Sequence, residues 1–176
     1  MTTKAKRIAL AGIGAAFSLV MVILGYFIGN LTLTFNVLAT GGMMLTLSKK
    51  YYRECVLSYA AVCLIGGLIT NLSVLPFVLV GGAFTIFTVI WFEKGKKYII
   101  SLPIKIAYSA FVFFILYKFT TLLAVDFTRL NFLDSITPAG LYVIFNLVFS
   151  ATFILYDYCL LFCYKYLKER VFSKIK

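Results

Sequence analysis

The chain has 176 residues, of which 62% are hydrophobic, 18% aromatic and only 13% charged, and it contains no histidine. Soluble domains of this length are about half apolar and about a quarter charged, so a single core cannot hide this apolar excess, and the composition indicates a membrane protein. Without histidine the chain lacks the commonest ligand of zinc and haem and the usual imidazole base, and no G-x-x-x-x-G-K-[ST] nucleotide loop is present. We therefore expect no cofactor and no nucleotide hydrolysis by the chain itself.

Six apolar stretches separated by polar breaks follow one another along the chain. A membrane-spanning helix needs about 17 to 25 residues, so six of them leave room only for termini and connections. We predict an all-α integral membrane protein, a single six-helix bundle over residues 1–176. The predicted spans are residues 7–29, 31–48, 55–71, 73–92, 99–125 and 138–164.

The basic residues are distributed unevenly between the two sides of these spans. Fourteen of the 17 Lys and Arg residues precede the first span or follow the second, fourth and sixth spans, whereas the opposite connections hold only Arg129. Basic residues accumulate on the cytoplasmic side of membrane proteins, so both termini are predicted to be cytoplasmic. The net charge of +11 is then mainly an orientation signal and requires no nucleic-acid partner.

Small residues cluster near the start of the first predicted helix, at Ala11, Gly12, Ala15 and Ala16. Small residues four positions apart let two helix backbones approach closely in a bilayer. This surface is therefore predicted to contact another helix. That helix belongs either to a partner protein or to the same bundle.

The layout resembles that of the substrate-binding S component of an energy-coupling factor transporter. The features that carry the resemblance are the length, six helices with both ends inside, a Lys-Arg start and the Ala11-x-x-x-Ala15 pattern. The resemblance implies that these two alanines, with Gly12 and Ala16, contact a membrane scaffold subunit. It also implies two cytoplasmic ATPase subunits as further partners.

Two opposite charges lie at the same predicted depth on neighbouring helices. Lys105 follows Lys97 by eight residues and Asp157 precedes Lys165 by eight, which places each about 12 Å from the inner basic residues. Because an unpaired charge is unfavourable in a bilayer, we predict a structural ion pair between helices five and six. A proton or cation relay is the alternative.

A second set of polar residues is predicted to lie further out. At 1.5 Å per residue, the distances from the inner basic residues are about 31 Å for Lys118, 28 Å for Asn146, 27 Å for Asn71 and 20 Å for Asn36. Tyr142 lies one turn from Asn146 on the same helix face. Aromatic walls with amides and one ammonium group suit a small organic ligand, so these residues form the candidate binding site. In the alternative, Lys118 extends to the outer interface and the amides bridge helices.

The outer connection over residues 126–137 contains Arg129 and is the longest in the chain. It could fold over the outer mouth as a lid, with Arg129 available to an anion, or it could be a solvated turn.

Two functions of different classes are compatible with these features. The first is a substrate-binding subunit for uptake of a small water-soluble, vitamin-like nutrient, located in the plasma membrane of a bacterium and dependent on a separate energising module. The second is a membrane scaffold that organises envelope proteins and has no small-molecule substrate. An enzyme is not expected, since no nucleophile-base pair or paired carboxylates occur at one depth.

Overall fold

The computed structural model describes residues 3–119 and 138–170 of the chain. Of the described residues, 94% are helical and none lies in a strand. The α-helices, in chain order, are α1 (Thr3–Phe27), α2 (Thr32–Ser48), α3 (Tyr52–Thr70), α4 (Phe84–Glu93), α5 (Tyr98–Lys118) and α6 (Pro138–Arg170).

Five of these helical segments are long and apolar enough to cross a membrane, and Phe77–Glu93 is a shorter apolar helix. The prediction of an all-helical fold with several helices long and apolar enough to cross a membrane is therefore confirmed for the described residues. The helix ends differ from the predicted spans. The fifth helix ends at Lys118, before residue 125, and the sixth continues beyond residue 164 to Arg170.

The fourth predicted span, residues 73–92, is not one regular helix. It begins within a 3₁₀ turn at Asn71–Val74, continues as a π-helix over Phe77–Ala83 and becomes α-helical only in α4. Pro76 lies directly before the π-helix and has no backbone N–H to donate, which favours irregular helix geometry at this point. Short π-helical segments occur often at functional sites, so the residues that pack against this segment are candidates for a functional role.

The chain divides into two compact units. The larger unit contains the chain up to Lys96 together with the end of α6 from Leu160, and the smaller unit contains Lys97–Cys159.

In the larger unit, α1 and α2 approach each other closely at two glycines. A methyl group on Gly42 would overlap the carbonyl oxygen of Gly14, so the two backbones meet without an intervening side chain. One turn further along α1, the Ser18 hydroxyl donates a 2.7 Å hydrogen bond to the carbonyl oxygen of Ala39. This is the contact that small residues permit between membrane helices.

The third helix packs on both α1 and the π-helix. The Ser58 hydroxyl donates to the carbonyl oxygen of Ala11 at 3.1 Å, and the Tyr59 hydroxyl donates to that of Val78 at 2.9 Å. A side chain on Gly82 would collide with the Tyr59 ring, so this glycine is required for the ring to lie against the π-helix. The hydrogen bond to Val78 ties the π-helical turn to α3.

The ends of α4 and α6 are joined in the larger unit through Glu93. Its Oε1 atom accepts a 2.9 Å hydrogen bond from the fully buried Tyr164 hydroxyl and pairs with the Lys168 ammonium group. Lys96 lies 4.7 Å from the Trp91 ring centroid at the same end of α4. These contacts hold the last turns of α6 in helical form beyond the predicted boundary.

Candidate functional site

Aromatic side chains of α5 and α6 form a cluster in the smaller unit. The Tyr142 ring lies 5.3 Å from that of Phe113 and 5.2 Å from that of Tyr117, and Phe149 lies 5.4 Å from Phe113. We call these four residues the aromatic cluster. Edge-to-face and tilted rings at these separations attract one another, and they also provide flat apolar surface for a planar ligand.

A polar group adjoins the aromatic cluster on the same two helices. The hydroxyls of Ser109 and Ser150 lie 2.9 Å apart, and Ser150 also lies 3.4 Å from the side-chain oxygen of Asn146. Asn146 and Tyr142 are both half-buried, so they are accessible in part. The predicted pair Tyr142 and Asn146 thus lies among rings and hydroxyls, which is the chemistry that orients a small ligand.

The structure places Lys118 on a different face of α5. Its ammonium group lies 5.8 Å from the ring centroid of Phe114, which is 49% exposed, and Lys118 itself is exposed in the last turn of the helix. Phe113 and Leu116, by contrast, are buried. This location fits the alternative in which the lysine extends to the membrane interface.

The other two predicted amides lie in the larger unit and differ from each other. Asn71 is exposed and follows the last residue of α3 with φ +55° and ψ −132°, a positive-φ conformation that is uncommon for residues other than glycine. The position of Asn71 is explained by its place at the end of α3.

Asn36 is 4% exposed, and its Nδ2 atom has no hydrogen-bond partner among the described residues. Burying an amide group without a hydrogen-bond partner costs roughly 1 to 3 kcal/mol. Packing contacts alone therefore do not explain why an amide side chain is buried at position 36.

Arg129 lies outside the described residues, as does the whole connection over residues 126–137, for which the sequence left both a lid and a solvated turn open.

No protein-family model, curated protein or solved structure matches this chain. The resemblance to S components therefore rests on the helix layout and on the small residues of α1.

The predicted ion pair is present in the smaller unit. The ammonium group of Lys105 lies 2.7 Å from Oδ1 and 2.6 Å from Oδ2 of Asp157, and the Tyr98 hydroxyl donates to the same Oδ2 at 2.8 Å. Lys105 is 3% exposed and Asp157 is 1% exposed. The lysine also lies 4.7 Å from the Tyr98 ring centroid. Hydrogen bonds from two donors satisfy the acceptor oxygens of this buried carboxylate, which suits a structural role.

The small residues of α1 divide between two faces of the helix. Ala11 is buried, and its carbonyl accepts the hydrogen bond from Ser58, so in this structure it contacts α3 of the same chain. Ala15 is half-buried, whereas Gly12 and Ala16 are exposed, and a methyl group on Gly12 would have no neighbour within 4 Å. The α1 surface that remains free for another protein is therefore the one with Gly12 and Ala16.

The described residues contain no group of three or more His, Cys, Asp or Glu residues that could hold a metal ion. The structure adds three polar residues that the sequence did not assign to these sites, namely Tyr98, Ser109 and Ser150. The three hydroxyl residues Tyr98, Ser109 and Ser150 lie at or near helical spacing from the predicted residues, but serines and tyrosines are frequent in membrane helices. Spacing alone did not distinguish them.

Proposed function

We propose that this protein is a membrane subunit that binds a small water-soluble, vitamin-like nutrient for uptake across the plasma membrane of a bacterium. In this proposal both termini are cytoplasmic, and a membrane scaffold subunit with two cytoplasmic ATPases supplies the energy. The chain has no nucleotide loop of its own, so transport would depend on such partners.

The observation that carries the proposal is the combination of the aromatic cluster with Asn146, Ser109 and Ser150. Ring surfaces supply apolar contact area, and the amide and hydroxyl groups supply directional hydrogen bonds. Tyr142 and Asn146 occupy one face of α6, and Tyr142 contacts the rings of α5.

A test of the binding site uses the purified protein in detergent and a panel of water-soluble vitamins. A ligand is expected to raise the melting temperature, because it binds only the folded state. Replacing Asn146 with Leu is expected to weaken that ligand roughly tenfold to a hundredfold, since a hydrogen bond to a buried group is lost. Thr152→Ala is the matched control, because Thr152 lies on an exposed part of α6 and bonds only to the carbonyl of Val148.

No shift with any vitamin, or equal ligand affinity in the Asn146 and Thr152 variants, would contradict this site.

A membrane scaffold remains the second candidate, and the exposed small residues of α1 favour it. Gly12 and Ala16 form a face that a helix of another membrane protein could approach closely, with no requirement for a ligand. The energised-uptake proposal uses the same face to bind its scaffold subunit. Both proposals predict that a change on this face loses a membrane partner, so that result does not distinguish them. Ligand binding does distinguish them, because only the uptake subunit is expected to bind a small molecule.

The α1 face gives a separate prediction about partner binding. Replacing Ala16 with Leu is expected to reduce co-purification of membrane partners while leaving the melting temperature close to that of the wild type, because the residue is exposed. Ala11→Leu is expected to lower the melting temperature instead, since overpacking a buried contact costs about 1 to 3 kcal/mol. Ile13→Phe is the control, because Ile13 is exposed and already large. Undiminished partner recovery with Ala16→Leu would remove this face from the interaction.

A further inference from the structure

Three buried side chains in the larger unit have a polar atom without a hydrogen-bond partner among the described residues, and two of them, Asn36 and Thr85, lie beside the π-helix. Asn36 on α2 is 4% exposed with Nδ2 unpaired, and Thr85 in the first turn of α4 is 0% exposed with its hydroxyl unpaired among the described residues. The great majority of buried polar groups in proteins are hydrogen-bonded. Two exceptions near one irregular helix segment indicate that something outside the described protein atoms bonds to them.

Gly81, in the π-helix, lies close against α2. A methyl group on Gly81 would lie 3.3 Å from the backbone oxygen of Asn36 and 3.3 Å from Cγ2 of Thr40. Thr85 follows Gly81 by four residues, one helical turn along the same face. Asn36 and Thr85 therefore lie on the contacting faces of α2 and of the helix that continues from the π segment.

The hydrogen-bonding capacity of the two side chains limits the chemistry of an occupant. The unpaired Nδ2 atom of Asn36 is a donor only, and the Thr85 hydroxyl donates one proton. The occupant must therefore offer an acceptor. Neither α2 nor residues 77–92 contains a charged residue, so nothing there compensates an anion.

We infer that Asn36 and Thr85 form a binding site, next to Gly81, for an uncharged oxygen acceptor. The oxygen belongs either to a carbonyl or hydroxyl group of a small organic ligand or to a bound water molecule. We call this the α2–π site. It lies within the larger unit and uses none of the residues of the aromatic cluster, so it does not depend on the proposed nutrient-binding function.

Removal of the Thr85 hydroxyl gives the first test. Thr85→Val keeps the shape of the side chain, and if an acceptor is bound there the variant is expected to melt about 2 to 4 °C below the wild type. Thr46→Val is the matched control, because Thr46 is also buried with an unpaired hydroxyl but lies near Gly14, at the contact of α2 with α1. Its melting temperature is expected to stay unchanged or rise. A Thr85→Val protein that melts at or above the temperature of the wild type would overturn the proposal.

Chemical labelling gives the second test. In a full-length variant without the four natural cysteines, Thr85→Cys is expected to react with the small uncharged thiol reagent methyl methanethiosulfonate, because the site admits uncharged polar molecules. Val89→Cys is the control, since Val89 is equally buried and lies one turn further along α4. Equal protection of both cysteines would overturn the proposal.

The two sources of the oxygen are distinguished by mass spectrometry of molecules released when the purified protein is denatured. A compound that is released from the wild type and absent from Asn36→Leu identifies an organic ligand. Reactive Thr85→Cys together with no released compound identifies water. Either result supports the α2–π site.

Discussion

Replacing Lys105 with Met is expected to lower the free energy of unfolding by about 3 to 5 kcal/mol, because the Asp157 carboxylate would remain buried without its charged partner. Both carboxylate oxygens accept hydrogen bonds from this lysine, and the Asp157 side chain is almost inaccessible. Methionine retains the length of the lysine side chain, so the change removes the charge and little volume. Denaturant unfolding in detergent, followed by circular dichroism, measures the loss.

The double variant Lys105→Met, Asp157→Leu separates the loss of the pair from the burial of a single charge. Replacing both members of a buried ion pair with apolar residues is often neutral or stabilising, so the double variant is expected to recover most of the lost stability. Tyr98→Phe removes only the third hydrogen bond to the carboxylate and is expected to cost about 1.5 to 3 kcal/mol. A Lys105→Met protein as stable as the wild type would contradict the structural role and favour the relay interpretation.

This ion pair was predictable because depth in a membrane can be counted along a helix. The inner basic residues give a reference plane, and eight residues of helix on each side place Lys105 and Asp157 level with each other. An unpaired charge is unfavourable in lipid, so two opposite charges at one depth have a strong reason to meet. The structure places their charged groups within 2.7 Å of each other.

The same depth argument was insufficient for Lys118 because depth does not determine the direction in which a side chain points. Lys118 and Asn146 are level by residue count, yet Lys118 lies over the exposed ring of Phe114, whereas Tyr142 contacts the buried ring of Phe113. Successive residues on a helix are separated by about 100°, so one position along the sequence changes the face. The direction in which each face of a helix points cannot be read directly from a single sequence.

The irregular helix before α4 was also not predictable from hydropathy. Residues 73–92 are apolar throughout, and the apolar pattern does not distinguish α-helical from π-helical hydrogen bonding. The signals present were Pro76 and the paired glycines Gly81 and Gly82. Asn36 was predicted as a polar residue on a membrane helix, but only the structure shows that its amide lies unpaired next to this segment.

The small residues of α1 present a similar ambiguity, since glycine and alanine occur on more than one face of the helix. Gly14, which the sequence did not single out, is the residue that meets α2. Gly12, only two positions earlier, has no neighbour that a methyl group would touch. Spacing identifies a helix that is suited to close contact, and the three-dimensional structure identifies which of its faces makes that contact.

Gly42→Ala and Gly12→Ala are therefore expected to have opposite effects on stability. The added methyl group at Gly42 would overlap the carbonyl oxygen of Gly14 and the hydroxyl of Ser18, so α1 and α2 would have to separate. Overpacking of this kind costs about 1 to 3 kcal/mol, and separation would also break the hydrogen bond from Ser18 to Ala39, worth about 1 kcal/mol. At Gly12 the methyl group meets nothing, and alanine favours the helix over glycine by up to about 1 kcal/mol.

Melting temperatures of the two single variants in the same detergent measure this difference. Because both substitutions add one methyl group to a helical glycine, detergent effects and helix propensity are matched, and only the α1–α2 contact differs. If Gly42→Ala melts at the same temperature as Gly12→Ala, the two backbones do not approach as closely as the structure indicates. If Gly42→Ala is the less stable variant and Ser18→Ala lowers stability by a smaller amount, close backbone contact, more than the serine hydrogen bond, holds these two helices together.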